Sequence, residues 1–345
     1  MPSTPASGFE RDILDQPSAL ETIAGTAFPA ELAKLDLRNF DRIIFTGMGS
    51  SDYASIPLEL ALARKGLPVW RLQASRLLET PQLITGRTLL WATSQSGRSG
   101  EIVALLEALP KANRPTVVAV TNDPESPLAA GGDLVIGLHS GSEATVSTKS
   151  YLNTLAVMFR AAALFVGRSE QAAIDEIAEA AKSLRTRLGE PVDAIRSIAQ
   201  RAVARPNPRF ALIAGGVDST SALTGALIMK EAARVAAEGY VGGAFRHGPL
   251  ELAGESLTAV LLGGSSSSSE TLIRLAGDLA PTGSLVVAIA PANLPGAEHI
   301  PVPQPDFSRL VHTMYSLQML SVELAKASGL VPGEFRFGQK ITATL

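Results

Sequence analysis

Apolar residues recur along this chain in two rhythms. Residues 42–46 (RIIFT), 88–93 (TLLWAT), 116–120 (TVVAV) and 134–137 (LVIG) are short unbroken apolar runs, the pattern of strands buried on both faces. Residues 53–65 instead carry helical spacing closed by Gly66, and the run EIVALLEAL from Glu101 predicts a second helix. A turn of small and polar residues follows each of the first three apolar runs: GMGSSD, SQSGRSG and TNDPESP. Strand, small-residue turn and helix in alternation predict βαβ units and a parallel sheet covered on both faces.

The second half repeats this grammar. Residues 209–214 (RFALIA) precede GGVDSTSALTGALIMKEAARVA, much as RIIFT precedes GMGSSDYASIPLELALAR. Residues 257–262 lead into GGSSSSSE and a helix, and 284–290 (SLVVAIA) resemble TVVAV. Two similar α/β halves, joined by a helical region over 170–201, are expected. Ahead of them, residues 11–26 (RDILDQPSALETIAGT) predict a helix with Ile13, Leu14, Leu20 and Ile23 apolar and Pro17 interrupting it. The serine run at 265–269 lacks glutamine and interspersed glycines and is expected to be a degenerate loop.

Composition narrows the class. At 345 residues the chain suits two domains of ~150. It is 46% hydrophobic and 18% charged, which excludes a disordered protein. A net charge of −3 without a basic tract argues against a nucleic-acid or anionic-membrane partner. Having no cysteine, the chain has no disulfide, thiolate metal site or cysteine nucleophile. Its N-terminus has no basic region followed by an apolar run, and the apolar stretch 151–166 contains Asn153 and Arg160 and is shorter than the ~20 residues of a membrane span. A soluble cytoplasmic protein without metal or cofactor is expected.

Two turns are candidates for chemistry. The loop Ser94-Gln95-Ser96-Gly97-Arg98-Ser99 joins a strand to a helix, where unsatisfied N–H groups, the helix dipole and three hydroxyls favour an oxyanion. A serine-capped helix would produce the same string. No lysine follows in the Walker A position. The turn 47–52 holds Ser50 and Ser51, with Asp52 where a dinucleotide fingerprint has its third glycine. Both turns fall at the carboxyl ends of strands, where open α/β sheets bind ligands, so one small phosphorylated molecule is the economical occupant.

For proton transfer, Glu231 and Glu238 stand seven residues apart and would share a helix face in apolar surroundings, though a solvated acidic stripe reads the same way. His247 lies in the glycine-rich GGAFRHGPLEL; His139, His299 and His312 are scattered without ligand spacing. Lys149 serves equally as a surface cation or a phosphate contact, and Lys340 sits near the C-terminus.

Taken in order, these motifs resemble the sugar isomerase (SIS) family, and within it the isomerase half of glucosamine-6-phosphate synthases. RDILDQPSAL is similar to E-I-x-E-Q-P, GMGSS to G-C-G-T-S, SQSGRS to S-Q-S-G-E-T and VSTKSY to A-S-T-K-x-F. The stretch KEAARVAAEGYVGGAFRHGPLEL is similar to K-E-x-x-x-x-x-A-E-x-x-x-x-G-E-x-K-H-G-P, and Lys340 before ITATL to the family's terminal lysine and tail. The resemblance implies two tandem SIS domains, each a parallel-sheet three-layer α/β sandwich of flavodoxin-like type. Their boundaries would be 1–40 (opening helical segment), 41–190, 191–333 and 334–345 (tail reaching the active site). It further implies that Ser94, Gln95, Ser96 and Ser99, with Ser50 and Ser51, hold the substrate phosphate, and that Thr145 and Ser147 line the sugar. Glu231 would move a proton between C1 and C2, His247 would open the pyranose ring from the partner subunit of a homodimer, and Lys340 would reach the carbonyl.

Three departures qualify this. The synthases carry a glutaminase domain with a catalytic cysteine, so glutamine-dependent amination by this chain alone is not expected. Ile228 replaces a family lysine, and Lys230 lies ~200° away around the helix. Arg98 replaces a glutamate in the phosphate loop and is expected to strengthen phosphate affinity. The expected reaction is conversion of glucosamine 6-phosphate to fructose 6-phosphate and ammonia. The alternatives are an isomerase or deaminase for another sugar phosphate or glycation product, and a non-catalytic sugar-phosphate sensor.

Overall fold

The computed structural model describes residues 6–264 and 266–343. The described residues divide into two compact units: one of 18–143, 149–178 and 337–343, the other of 6–17, 144–148, 179–264 and 266–336. Helix α1 (Gly8–Ala24) contributes to both. Pro17 lies inside α1 and does not end it, because Ile13, Leu20 and Ile23 are buried along one stripe. Burying each is worth ~1.5–3 kcal/mol, which offsets the one hydrogen bond the proline forgoes. Leu14, expected on that stripe, is 55% exposed.

The first unit is built on β1 (Arg42–Thr46), β2 (Val69–Arg71), β3 (Thr88–Thr93), β4 (Thr116–Thr121) and β5 (Leu134–Gly137). They form one parallel sheet in the order β2-β1-β3-β4-β5. Its helices are α2 (Ser50–Tyr53), α3 (Ile56–Ala63), α4 (Ala74–Glu79), α5 (Gly100–Ala108), α6 (Pro127–Gly131), α7 (Lys149–Val166) and the first half of α8 (Glu170–Arg187). Every residue of β3 is buried, as a central parallel strand requires. Ile44, Leu90 and Val117 pack with Ile102 and Leu105 of α5 and so fix where that helix begins. Strand β2 escapes the apolar pattern because it is a three-residue edge whose Trp70 is 44% exposed.

The second unit adds α9 (Asp193–Val203), β6 (Arg209–Ala214), α10 (Ser219–Ala233), β7 (Ala236–Val241), β8 (Leu257–Leu262), α11 (Ser266–Leu279), β9 (Leu285–Ala290), β10 (Glu298–Pro301) and α12 (Asp306–Ala327). Its sheet is again wholly parallel, in the order β7-β6-β8-β9-β10, which repeats the first sheet's order. Within the serine run, Ser265 lies outside the described residues and Ser266 opens α11.

Glu231 and Glu238 do not share a helix. Arg234 turns left-handed (φ 54°) straight after α10, and the chain becomes β7, where Glu238 pairs with Ala211 and accepts a hydrogen bond from Tyr240 Oη at 2.8 Å. The cause lies in β7's partner strand, which helical spacing cannot register. No helix among the described residues is long and apolar enough to cross a membrane.

Candidate functional site

The predicted residues fall in both units. Ser50, Ser51, the 94–99 loop and Lys340 lie in the first; Thr145, Ser147, Glu231 and His247 lie in the second.

In the first unit, β1 and β3 are neighbours in the sheet, so the turns after them emerge side by side. Gly47 makes this close approach possible: a Cβ there would sit 2.9 Å from Thr93 O, nearer than side-chain carbons come. The turn delivers Ser50, which is buried, and Ser51, which is half-buried, to the start of α2. After β3, Ser94 N is bound to Val120 O at 3.0 Å, and Gln95 O accepts from Asn122 N at 3.0 Å, so β4 holds the loop's base. Gly97 takes the left-handed conformation (φ 61°) and donates to Ser94 Oγ at 3.1 Å.

Ser99 holds the N-cap position of α5 but its side chain makes no cap bond. Its hydroxyl instead meets Ser94 Oγ at 3.0 Å. A serine-capped helix would have spent this oxygen on the first turn; here two hydroxyls face each other at a helix start that has no side-chain cap, an arrangement suited to an oxyanion. The Arg98 side chain is paired with the neighbouring turn. Its guanidinium reaches Asp123 Oδ2 at 3.0 and 2.8 Å and Glu125 O at 3.2 Å, so its charge is committed away from the loop's hydroxyls. Backbone bonding from Glu125, with Arg98 second, holds the Asp123 carboxyl below its ordinary range.

The C-terminal tail is anchored, not frayed. Lys340 Nζ binds Glu143 Oε2 at 2.5 Å, and Gly100 N, at the head of α5, donates to Thr342 O at 3.0 Å. The Glu143 side chain is wholly buried and accepts from Ser150 N and Oγ at 3.1 and 2.7 Å. Lys149 is buried, so it is no surface cation.

In the second unit Glu231 occupies the last turn of α10, half-buried, between exposed Lys230 and buried Ala232. Ala232 O accepts from Gly333 N at 3.1 Å, and Gly333 O accepts from Thr145 Oγ1 at 2.8 Å. Thr145 is thereby tied to the end of the helix that carries Glu231. Ser147 is half-buried two residues on. Ile228 is fully buried, so no cation stands at its position. His247 is exposed, at the C-cap of the turn Gly242–Arg246.

Two features went unread in the sequence. Asp52 is buried and paired with Arg71, which also reaches Glu59 at 3.1 Å; burial pushes the Asp52 carboxyl up to about 6 despite that arginine. Asp218, just after β6, is buried with Arg309 at 2.8 Å and is likewise raised by burial. An aspartate following each half's first strand was the available signal. His312 is buried against Ser183 Oγ at 2.9 Å, and His299 Nε2 meets Ala290 O at 2.8 Å. Among the described residues no group of three or more histidine, aspartate or glutamate side chains could hold a metal.

Residues 36–165 match the SIS domain. The glutamine–fructose-6-phosphate aminotransferase (isomerizing) of Methanocaldococcus jannaschii is 28% identical over 301 residues, 85% of this chain and 27% of that protein. The chain spans about half or less of the length of the first such relatives it matches. In fold it is similar to the C-terminal domain of glucosamine-fructose-6-phosphate aminotransferase from Francisella tularensis (TM-score 0.80, 21% identity, 93% of this chain and 96% of that one). A glucosamine-6-phosphate deaminase from Thermotoga maritima is similar too (TM-score 0.76, 21% identity, 97% and 99%). Residues 36–165 are thus an SIS domain, in a chain homologous to the isomerase part of the glucosamine–fructose-6-phosphate aminotransferases.

Proposed function

We propose that this chain converts glucosamine 6-phosphate to fructose 6-phosphate and ammonia. The observation that carries the reading is the start of α5, which has no side-chain cap, with the Ser94–Ser99 hydroxyl pair before it, inside the residues that match the SIS domain. Ser94, Gln95, Ser96 and Ser99 hold the phosphate, with Ser50 and Ser51 beside them, and Thr145 and Ser147 line the sugar. His247, supplied by a second copy of the chain, protonates the ring oxygen and opens the pyranose. Glu231 then takes the C2 proton of the open aldose as the C1 oxygen is protonated, and returns that proton to C1. The product is a C2 imine; water adds to C2 and ammonia leaves, giving the ketose. Lys340 is the amine that approaches the carbonyl carbon.

The shared strand order supports reading the second half as a further SIS domain, with both sheets forming flavodoxin-like three-layer sandwiches over 41–190 and 191–333. One observation favours a second reading, plain aldose–ketose isomerisation: Ile228 leaves Glu231 without the lysine that the resemblance leads one to expect. Incubating the protein with glucosamine 6-phosphate and following ammonia and fructose 6-phosphate together decides. Equal amounts of both are expected. Ketose from an aldose phosphate without ammonia selects the isomerase, and binding without either product selects a sensor.

A further inference from the structure

At the C-terminal edge of the second sheet, a cavity of ≈ 200 Å³ opens between the loops after β6 and β7 and helix α11. Its floor is apolar: Ile213, Phe245, Leu272 and Leu275 are buried, and Phe245 meets Tyr240 edge-on at 5.2 Å. Its rim is bare backbone and one cation. Two glycine pairs, 215–216 and 242–243, line it beside Arg246 and the exposed Thr271. Gly216 and Gly242 are left-handed (φ 60° and 58°), and a Cβ at 216, 242 or 243 would meet nothing within 4 Å. Protein packing therefore does not crowd these positions; they leave peptide groups facing open space.

The first sheet, of the same order, carries the hydroxyl-rich loops at this same edge. Among the described residues, the serines that follow β6 and β8 do not line this cavity, whose wall carries a single hydroxyl, Thr271, beside glycines and apolar side chains, so its occupant differs. At ~30 Å³ per water the space equals about seven waters, the bulk of one small ring with a substituent. The apolar floor would strip the hydration of a dianion at high cost. Arg246 already shares its charge with Asp278, Nη2 to Oδ2 at 2.6 Å, which suits one further negative charge and not two. The guanidinium offers five N–H donors in a planar fork that matches a carboxylate.

We propose that this cavity is a second ligand site, for a small monocyclic carboxylate whose ring rests on Phe245, Leu272 and Leu275 and whose carboxylate meets Arg246. The wall formed by 242–246 ends in His247, so an occupied cavity steadies the loop presenting that histidine. This coupling rests on the role proposed for His247; the binding does not.

Benzoate is the probe, titrated into the whole chain while the amide resonances of Gly215, Gly216, Gly242 and Gly243 are followed. Saturable shifts with a dissociation constant on the order of 1 mM are expected, unchanged by added inorganic phosphate. Arg246→Gln should weaken binding by about tenfold. Thr271→Trp, at an exposed position, should plug the mouth and abolish it. Absence of saturation, displacement by inorganic phosphate, or wild-type affinity in both variants overturns the site. With glucosamine 6-phosphate as substrate, saturating benzoate should alter turnover at least about twofold in wild type and not in Thr271→Trp. Unaltered turnover with binding intact refutes the coupling and leaves the site standing, and a chain without turnover still answers the binding question.

Discussion

Gly97→Ala probes the phosphate loop at its tightest point. An alanine there must hold φ 61°, which costs an L-residue roughly 1–2 kcal/mol. Its Cβ would lie 2.1 Å from Ser126 Oγ, 2.4 Å from Ser126 Cβ and 2.9 Å from Thr121 Oγ1, so Ser126 must move. Ser126 cannot move freely: its hydroxyl donates to Asp123 O at 2.7 Å and accepts from Ala129 N at 3.3 Å, capping α6. Losing such a cap costs ~1 kcal/mol, and forcing a methyl into a packed site a further ~1–3 kcal/mol. Against this, alanine stiffens the unfolded chain by ~0.4–1 kcal/mol. The net expectation is a loss of about 4 kcal/mol, read as a lower urea midpoint. The glycine also shapes the bond to Ser94 Oγ, so affinity for a hexose 6-phosphate should fall by about tenfold or more, measured by calorimetry. Adding Ser126→Gly removes the two shortest contacts while sacrificing the cap, so the double variant should recover sugar-phosphate affinity better than stability. Wild-type stability and affinity in Gly97→Ala alone would refute the assignment of this turn as the loop's geometric anchor.

Three further expectations follow from the same geometry. Glu231→Gln should keep sugar-phosphate binding while turnover drops by ~10² or more; steady-state kinetics showing unchanged kcat would remove it as the base. Glu143→Gln leaves Lys340 with a neutral partner, weakening a charge-assisted bond worth ~1.5–3 kcal/mol. Hydrogen exchange at Gly100 N, which reports the Thr342 contact, should then quicken, and an unchanged rate would mean that Lys340 does not anchor the tail. His312 has its pKa lowered to about 4, first by burial and then by Arg187. Its contribution is intact above the unfolded value near 6.5 and drains away as pH falls towards 4, by about 3 kcal/mol. His312→Gln should flatten the fall in urea midpoint between these pH values; an identical slope would exclude this histidine.

Most strands that the sequence announces are those the sheets bury deeply; the exception is β5, announced by its apolar run but an edge strand in which only Ile136 is buried. In β3, β8 and β9 every residue is inside, so an unbroken apolar run and a central parallel strand are the same observation. The edges β2, β7 and β10 are short or partly exposed, and their identity comes from the neighbour they pair with. That is why Glu238 reads as helical until the pairing of β7 with β6 is known. The candidate site divides along the same line. The serines of the 94–99 loop are legible because strand, turn and helix follow one another directly in the chain. Glu143 is not, since its significance lies in a contact with Lys340, 197 positions away.

Buried charge shows why some chemistry is legible only in three dimensions. Asp52 looks like a failed glycine in a fingerprint, yet it is buried beside an arginine shared with Glu59. Its carboxyl is raised to about 6, with burial the larger influence and Arg71 opposing it. A carboxyl raised in the folded state contributes most below its unfolded value near 3.8 and loses that contribution as pH climbs through 6. At neutral pH the ion pair therefore does not repay the desolvation of Asp52, as is common for buried pairs. Asp52→Asn would remove a salt bridge and still be expected to cost less than about 1 kcal/mol at pH 7, because Arg71 retains Glu59. A loss of ~3–5 kcal/mol, the usual result of orphaning one buried partner, would show instead that Arg71 depends on Asp52 alone.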